Sequence, residues 1–287
     1  MRLMAMLTTV VALGLVACGG VDGDSGNESP VVTPTAALAA WAAFPAGQTP
    51  RPVVLIANRS PKGGFGSDTA KIAALCHKFT SAITLPTAAP RNVAVTWSTG
   101  AKGTYPSMSA AAALAAMTQP GPGTSESYCK TVDSLVFSAV RFGASGYDTD
   151  RGSAQIDSWL FTTTAFSGEM AYPALAASSV WNADLSGGSS ERTIISDDGR
   201  TVKFGFVGGS GTGPCAVRYQ PLLAESATAV AIAVQVAPST PTCNGPSDAV
   251  GYLRTVYVSL AAPLGGRVVL DATGKLESVC PAINPQC

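Results

Sequence analysis

The chain opens on a mostly apolar run, residues 3–16, with Arg2 before it. After that, apolar residues come in short stretches separated by Gly, Pro, Ser and Thr. Residues 36–44 read as a short helix ended by Pro45. Val53-Val54-Leu55-Ile56 is a short continuous apolar run, the pattern of a strand buried on both faces. A Gly-rich loop at 62–66 leads to Ser67 and Asp68, either of which can cap the helix that follows. On that helix Ile72, Leu75, Cys76 and Phe79 recur at 3.6-residue spacing and define an inward face, while His77 falls toward the polar side with Lys78. A strand at 93–97 comes next. An Ala-rich helix at 107–117 is then halted by Gln119-Pro120-Gly121-Pro122-Gly123.

From Cys129 onward the β signals dominate. Stretches 132–142, 155–162, 192–196, 201–207, 227–236, 252–260 and 268–270 read as strands. Asp197-Asp198-Gly199 predicts a hairpin turn. Pro263-Leu264-Gly265-Gly266 predicts a turn that carries 252–260 back into 268–270. Within 227–236, Val230, Ile232, Val234 and Val236 alternate mostly with Ala, so one face packs a core and the other admits a close neighbour. The class is α+β and β-rich. Mostly antiparallel sheets occupy the C-terminal two-thirds, and two or three helices lie in the N-terminal third.

The opening run changes the address of the chain. A charged start, an apolar core of about 14 residues and small residues before a cut site make a secretory signal peptide. A bilayer span needs about 20 apolar residues, so the run is too short to be one. Leu15-Val16-Ala17-Cys18 is similar to the lipobox of bacterial lipoproteins. That resemblance implies that Cys18 is lipidated, becomes the first mature residue and holds the protein on the outer, extracytoplasmic face of the cell membrane. The expected layout is a signal peptide at 1–17, a tether at 18–36 too poor in apolar residues to fold, and a globular α+β domain at 37–287. If that domain has two lobes, they divide near 125–190.

Composition narrows the partners. Charged residues are 13% of the chain and the formal net charge is zero, so neither a basic nucleic-acid footprint nor a polybasic lipid patch is present. Setting Cys18 aside, the seven cysteines leave six: Cys76, Cys129, Cys215, Cys243, Cys280 and Cys287. In an oxidising compartment these read as three disulfides, with 15 formal connectivities. The preferred pairing is local: Cys215 with Cys243 and Cys280 with Cys287, leaving Cys76 with Cys129. There is no Cys-x-x-Cys pair and a single histidine, which argues against a zinc site. No cofactor or metal is expected.

Candidate chemistry concentrates in Tyr147-Asp148-Thr149-Asp150-Arg151-Gly152. Asp148 and Asp150 would share one face of an extended chain, where two carboxylates can hold a cation or act as acid and base. Asp148, Asp150, Arg151 and Trp159 are therefore the candidate ligand or cation site. The plainer reading is a turn whose aspartates cap backbone groups or pair with an arginine. Tyr105, Trp97, Trp159 and Trp181 would line a sugar or peptide groove if exposed, and pack a core otherwise. His77 would have to serve any Ser/His/Asp triad, and no Gly-x-Ser-x-Gly elbow accompanies it. The Gly208–Gly213 loop lacks the helix N-terminus that a phosphate cradle needs.

Several of these stretches together resemble an uncharacterised family of actinobacterial secreted lipoproteins, for which no activity is known. They are Phe44-Pro45, Arg51-Pro52-Val53-Val54-Leu55, Thr149-Asp150-Arg151-Gly152, Trp159-Leu160-Phe161 and Pro263-Leu264-Gly265-Gly266-Arg267-Val268-Val269-Leu270-Asp271. The resemblance covers most of the mature chain, but Ile156-Asp157-Ser158 stands where the family pattern has Leu-Pro-Ala. No catalytic residue comes with it. The expected role is a non-catalytic binding or structural envelope lipoprotein, with an envelope protein or small molecule as partner. The alternative is an extracytoplasmic carboxylate-dependent hydrolase.

Overall fold

The computed structural model describes residues 33–56, 60–121, 124–181, 193–213, 215–238, 250–285 and 287, with 60–62 by backbone alone. The expected signal peptide, Cys18 and nearly all of the expected tether lie outside them. Among the described residues the fold is β-rich and mostly antiparallel, with four α-helices. None of these helices is long and apolar enough to cross a membrane.

The first half runs α1 (Thr35–Ala39), β1 (Val53–Val54), β2 (Ser60–Lys62), α2 (Asp68–Leu75), β3 (Phe79–Ser81), β4 (Val93–Trp97), β5 (Lys102–Tyr105), α3 (Ala110–Met117), α4 (Ser127–Thr131), β6 (Leu135–Phe137), β7 (Ala139–Thr149), β8 (Gly152–Thr162), β9 (Glu169–Pro173) and β10 (Val180–Trp181). Its centre is the long β7–β8 hairpin. The other edge of β8 pairs with β4 through 154–156 and with β9 through 158–162, making one six-stranded antiparallel sheet. Helices α2 and α3 are capped by Ser67 and Ser109, whose hydroxyls accept the N–H groups of Ala70 and Ala112. They pack against this sheet through Ala70, Ala73, Ala74, Ala110 and Ala113.

The inward face predicted for α2 is corrected here. Leu75 is 56% exposed, and the helix ends at that residue. His77 takes φ +56° and turns the chain, so Phe79 enters the core from β3 and not from the helix. The buried face is alanine, whose small side chain lets a short helix lie close to its neighbours. His77 is partly exposed, and its Nδ1 sits within hydrogen-bond distance of the Gln119 carbonyl. Cys76 is buried as expected and bonded to Cys129 on α4.

The second half contains β11 (Thr193–Ile195), β12 (Thr201–Gly208), β13 (Tyr219–Glu225), β14 (Ala229–Val236), β15 (Tyr252–Ser259), β16 (Val268–Asp271), β17 (Leu276–Glu277) and β18 (Val279–Pro281). It forms two four-stranded sheets, β15-β12-β11-β18 and β13-β14-β16-β17. Their facing side chains, among them Val202, Phe204, Val230, Ile232, Val256, Val258 and Val269, make a second core. The Asp197-Asp198-Gly199 hairpin joins β11 to β12.

The turn at 263–266 behaves differently from expectation. It does not return β15 to a neighbouring strand. It carries the chain across to the other sheet, where β16 pairs in parallel with β14. The Leu264 N–H donating to the Gly199 carbonyl pins the crossing. The alanine face of β14 does admit a close neighbour: Ala229 and Ala231 pack in a third cluster with Ala37, Trp41 and Phe44 around α1. Helix α1 stops at Ala39, short of the predicted 44, and turns finish the span.

Val53 and Leu55 belong to the first core, and Val54 to the third. The apolar run is therefore buried on both faces because it lies between two cores. Cys280 is bonded to Cys287. Cys215 is also in a disulfide; its expected partner, Cys243, lies outside the described residues. These disulfides fit an extracytoplasmic protein.

Candidate functional site

The tip of the β7–β8 hairpin, Thr149-Asp150-Arg151-Gly152, is where the two halves are joined. Asp150 N–H donates to the Val54 carbonyl at 3.2 Å, and the Asp150 carbonyl accepts from Val279 N–H at 3.1 Å. The Ser278 hydroxyl donates to the Thr149 carbonyl at 3.0 Å. Ser153 donates to the Cys287 carbonyl through its N–H at 3.1 Å and its hydroxyl at 2.9 Å. Gly152 has φ +81°, and a Cβ there would lie 2.1 Å from Cys287 Sγ. Only glycine meets both the backbone and the space requirement.

Asp150 is 4% exposed and forms an ion pair with Arg51, itself 7% exposed. The rest of that guanidinium is satisfied as well. Nε donates to the Gly266 carbonyl at 2.6 Å, and Cζ stands 4.6 Å from the Phe44 ring centroid. The Tyr105 hydroxyl donates to the Arg51 carbonyl at 3.1 Å. Burial raises the Tyr105 pKa, against the opposing pull of Arg151 and Arg51.

The structure separates the two aspartates that spacing had placed together. Asp148 is exposed on β7, whereas Asp150 is buried in the turn beyond the strand end. The strand geometry stops at Thr149, so alternation no longer applies one residue later. They form no paired-carboxylate site, and Asp150 takes the arginine-paired role. Trp159 is also removed from the site. It is a core residue, its indole N–H donating to the Met108 carbonyl at 2.9 Å and its ring edge-on to Phe142. Trp181 packs with Trp41 and Phe44. Among the described residues no group of three or more His, Cys, Asp or Glu side chains is placed to hold a metal.

Arg151 has the opposite environment from Arg51. It is half-buried at the wall of a cleft of about 360 Å³ between the two halves, which Trp97, Asp150, Leu264 and Arg267 also line. Its Cζ lies 5.8 Å from the Trp97 ring centroid. Among the described residues its guanidinium has no hydrogen-bond or ion-pair partner; only its backbone N–H is bonded, to the Thr149 hydroxyl. Burial lowers its pKa and the nearby Arg51 charge lowers it further, with Asp150 opposing both. Trp97 is 6% exposed, and its buried indole N–H has no hydrogen-bond partner among the described residues.

Arg267 across the cleft is fully engaged. It pairs with Glu225 at 2.6 Å and donates to the carbonyls of Ala262 and Pro263 at 2.7 and 3.1 Å. Burial alone would raise the Glu225 pKa; the Ala261 N–H and Arg267 outweigh it and hold the carboxylate below its usual range.

Sequence reasoning singled out Asp150 and Arg151 and weighed Trp97 as a groove aromatic, but it missed Arg51 and Arg267 as members of this place. A signal was present. Arg51-Pro52, Thr149–Gly152 and the 263–267 turn all belong to the stretches that carried the family resemblance, and here they touch one another. Comparison with family models, curated proteins and solved structures finds no match to this chain.

Proposed function

We propose that this chain is an exported lipoprotein, held on the outer face of the cell membrane through lipidated Cys18 and akin to the actinobacterial secreted lipoproteins. We propose further that its folded part acts by binding and not by catalysis. The carrying observation is the division of labour at the hairpin tip. Asp150, the carboxylate a hydrolase would use, is buried in an ion pair with Arg51 and ties the two halves together. Arg151 next to it faces a cleft with its guanidinium unpaired among the described residues. An acid or base must reach a substrate proton, whereas Asp150 already has its partner. An unpaired guanidinium beside an aromatic face is equipment for recognition.

Asp150→Asn, made in the full exported chain, tests this reading. Binding and structure predict a large fall in melting temperature and no hydrolysis by either protein across ester, peptide and glycoside substrates. The hydrolase alternative predicts the reverse: wild-type turnover that the substitution abolishes at unchanged melting temperature. For the anchor, Cys18→Ala should abolish metabolic labelling with an alkyne palmitate analogue and release the protein from membranes.

A further inference from the structure

The charge around the cleft does not balance. Among the described side chains at the cleft and their ion-pair partners, Arg51, Arg151 and Arg267 carry three positive charges, and Asp150 and Glu225 carry the two that oppose them. Arg51 and Arg267 each have their own carboxylate and their own carbonyls. The excess charge therefore resides on Arg151, half-buried and without a partner among the described residues. A desolvated, unpaired guanidinium is costly, and a ligand anion would restore what burial takes away. Apart from Thr99 the rest of the wall is apolar: Ile195, Leu264, Val279, Pro281 and Ile283 lie around the same space as Trp97. At about 360 Å³ the cleft has the size of a small-molecule site.

We infer that this cleft binds an organic monoanion, its carboxylate gripped by the Arg151 guanidinium and its apolar body laid against Trp97 and Leu264. This rests on the binding reading above and names the ligand class for it. A guanidinium fork matches a carboxylate in a planar, two-hydrogen-bond geometry. One uncompensated positive charge suits one negative charge. A phosphate dianion would leave a surplus negative charge beside buried Asp150, and a neutral ligand would leave Arg151 unpaired.

The test is calorimetric titration of the full lipidated chain in nanodiscs, against matched empty nanodiscs. The probes are benzoate, phenylacetate and butyrate, each with its neutral primary amide, and inorganic phosphate. Saturable binding of at least one carboxylate, about tenfold or more tighter than its amide, is expected from the strength of a charge-assisted pair. Arg151→Gln should weaken that binding about tenfold or more at nearly unchanged melting temperature. Arg151→Lys, which keeps the charge and loses the fork, should fall between. The inference is overturned if no carboxylate saturates at millimolar concentration, or if amide or phosphate binds as tightly. It is equally overturned if Arg151→Lys and Arg151→Gln both retain wild-type affinity. Should Arg151→Gln fail to fold, the amide comparison and Arg151→Lys decide alone. The Asp150→Asn experiment is independent of these outcomes, so loss of the ligand class and loss of the binding reading remain distinguishable.

Discussion

The joint and the cleft share a single turn, and consecutive residues serve them. On the joint side, Asp150 is buried with Arg51, whose guanidinium also has a carbonyl and an aromatic ring for company. On the cleft side, Arg151 has an aromatic ring and no acceptor among the described residues. Both arginines lie within electrostatic reach of Asp150, yet one carboxylate is matched to one of them. The difference separates a charge used for cohesion from a charge left over. A buried charge pair is weak evidence of net stabilisation by itself, but removing one member strands the other in low dielectric. An unpaired guanidinium at a cleft wall adds little to cohesion and keeps its hydrogen-bond donors for something else.

This contrast can be broken from the joint side first. Asp150→Asn leaves Arg51 charged and buried, and should cost about 3–5 kcal/mol, read as the shift in denaturant midpoint. Gly152→Ala forces a side chain onto a positive φ and against Cys287 Sγ. It should cost about 2–4 kcal/mol, measured the same way. Replacing both Cys280 and Cys287 by Ser opens a short loop that lies on Gly152, and the chain-entropy model sets the loss at about 2.5 kcal/mol.

A pH scan probes the hairpin just behind the tip. Burial pushes the Tyr147 pKa up to about 12, with the Ser158 hydroxyl opposing. A folded-state pKa above the unfolded value of about 10 means the native state holds its proton longer. Stability from this group is complete below pH 10 and is lost as pH rises toward 12, a change on the order of 2 kcal/mol. Tyr147→Phe should flatten that part of the stability curve while leaving the neutral-pH value nearly unchanged. Arg151→Gln has the smallest expected stability effect, within about 0.5 kcal/mol. A loss there as large as that of Asp150→Asn would place Arg151 in the joint and erase the contrast.

Much of the fold was legible because it rests on local periodicity. The alanine face of β14 announced a close neighbour, and α1 with Trp41 occupies it. The Val53–Ile56 run read as doubly buried, and it separates two cores. The elements that escaped lacked a pattern to read. Strand β13 is half-buried at every position and contains Pro221, so it shows no alternation. Strand β3 was taken for the end of a helix because the break lies in the backbone of His77 and not in the hydrophobic spacing. The crossing at 263–266 looked like a hairpin turn, since turn residues reverse or redirect a chain without stating which sheet receives it.

The sequence by itself determined the strand-rich second half, a helix start at Ser67 or Asp68, the inward Cys76 and the need for cysteine pairing. Each follows from chain geometry over a few residues or from counting. Only the tertiary structure decided that Asp150 pairs with Arg51, 99 positions away, and that Asp148 and Trp159 stand apart from it. It alone left Arg151 unpaired among the described residues, at a cleft opposite Arg267. A charge's partner depends on which segments fold onto it and how much water they remove, and neither quantity is written in the spacing of residues along the chain.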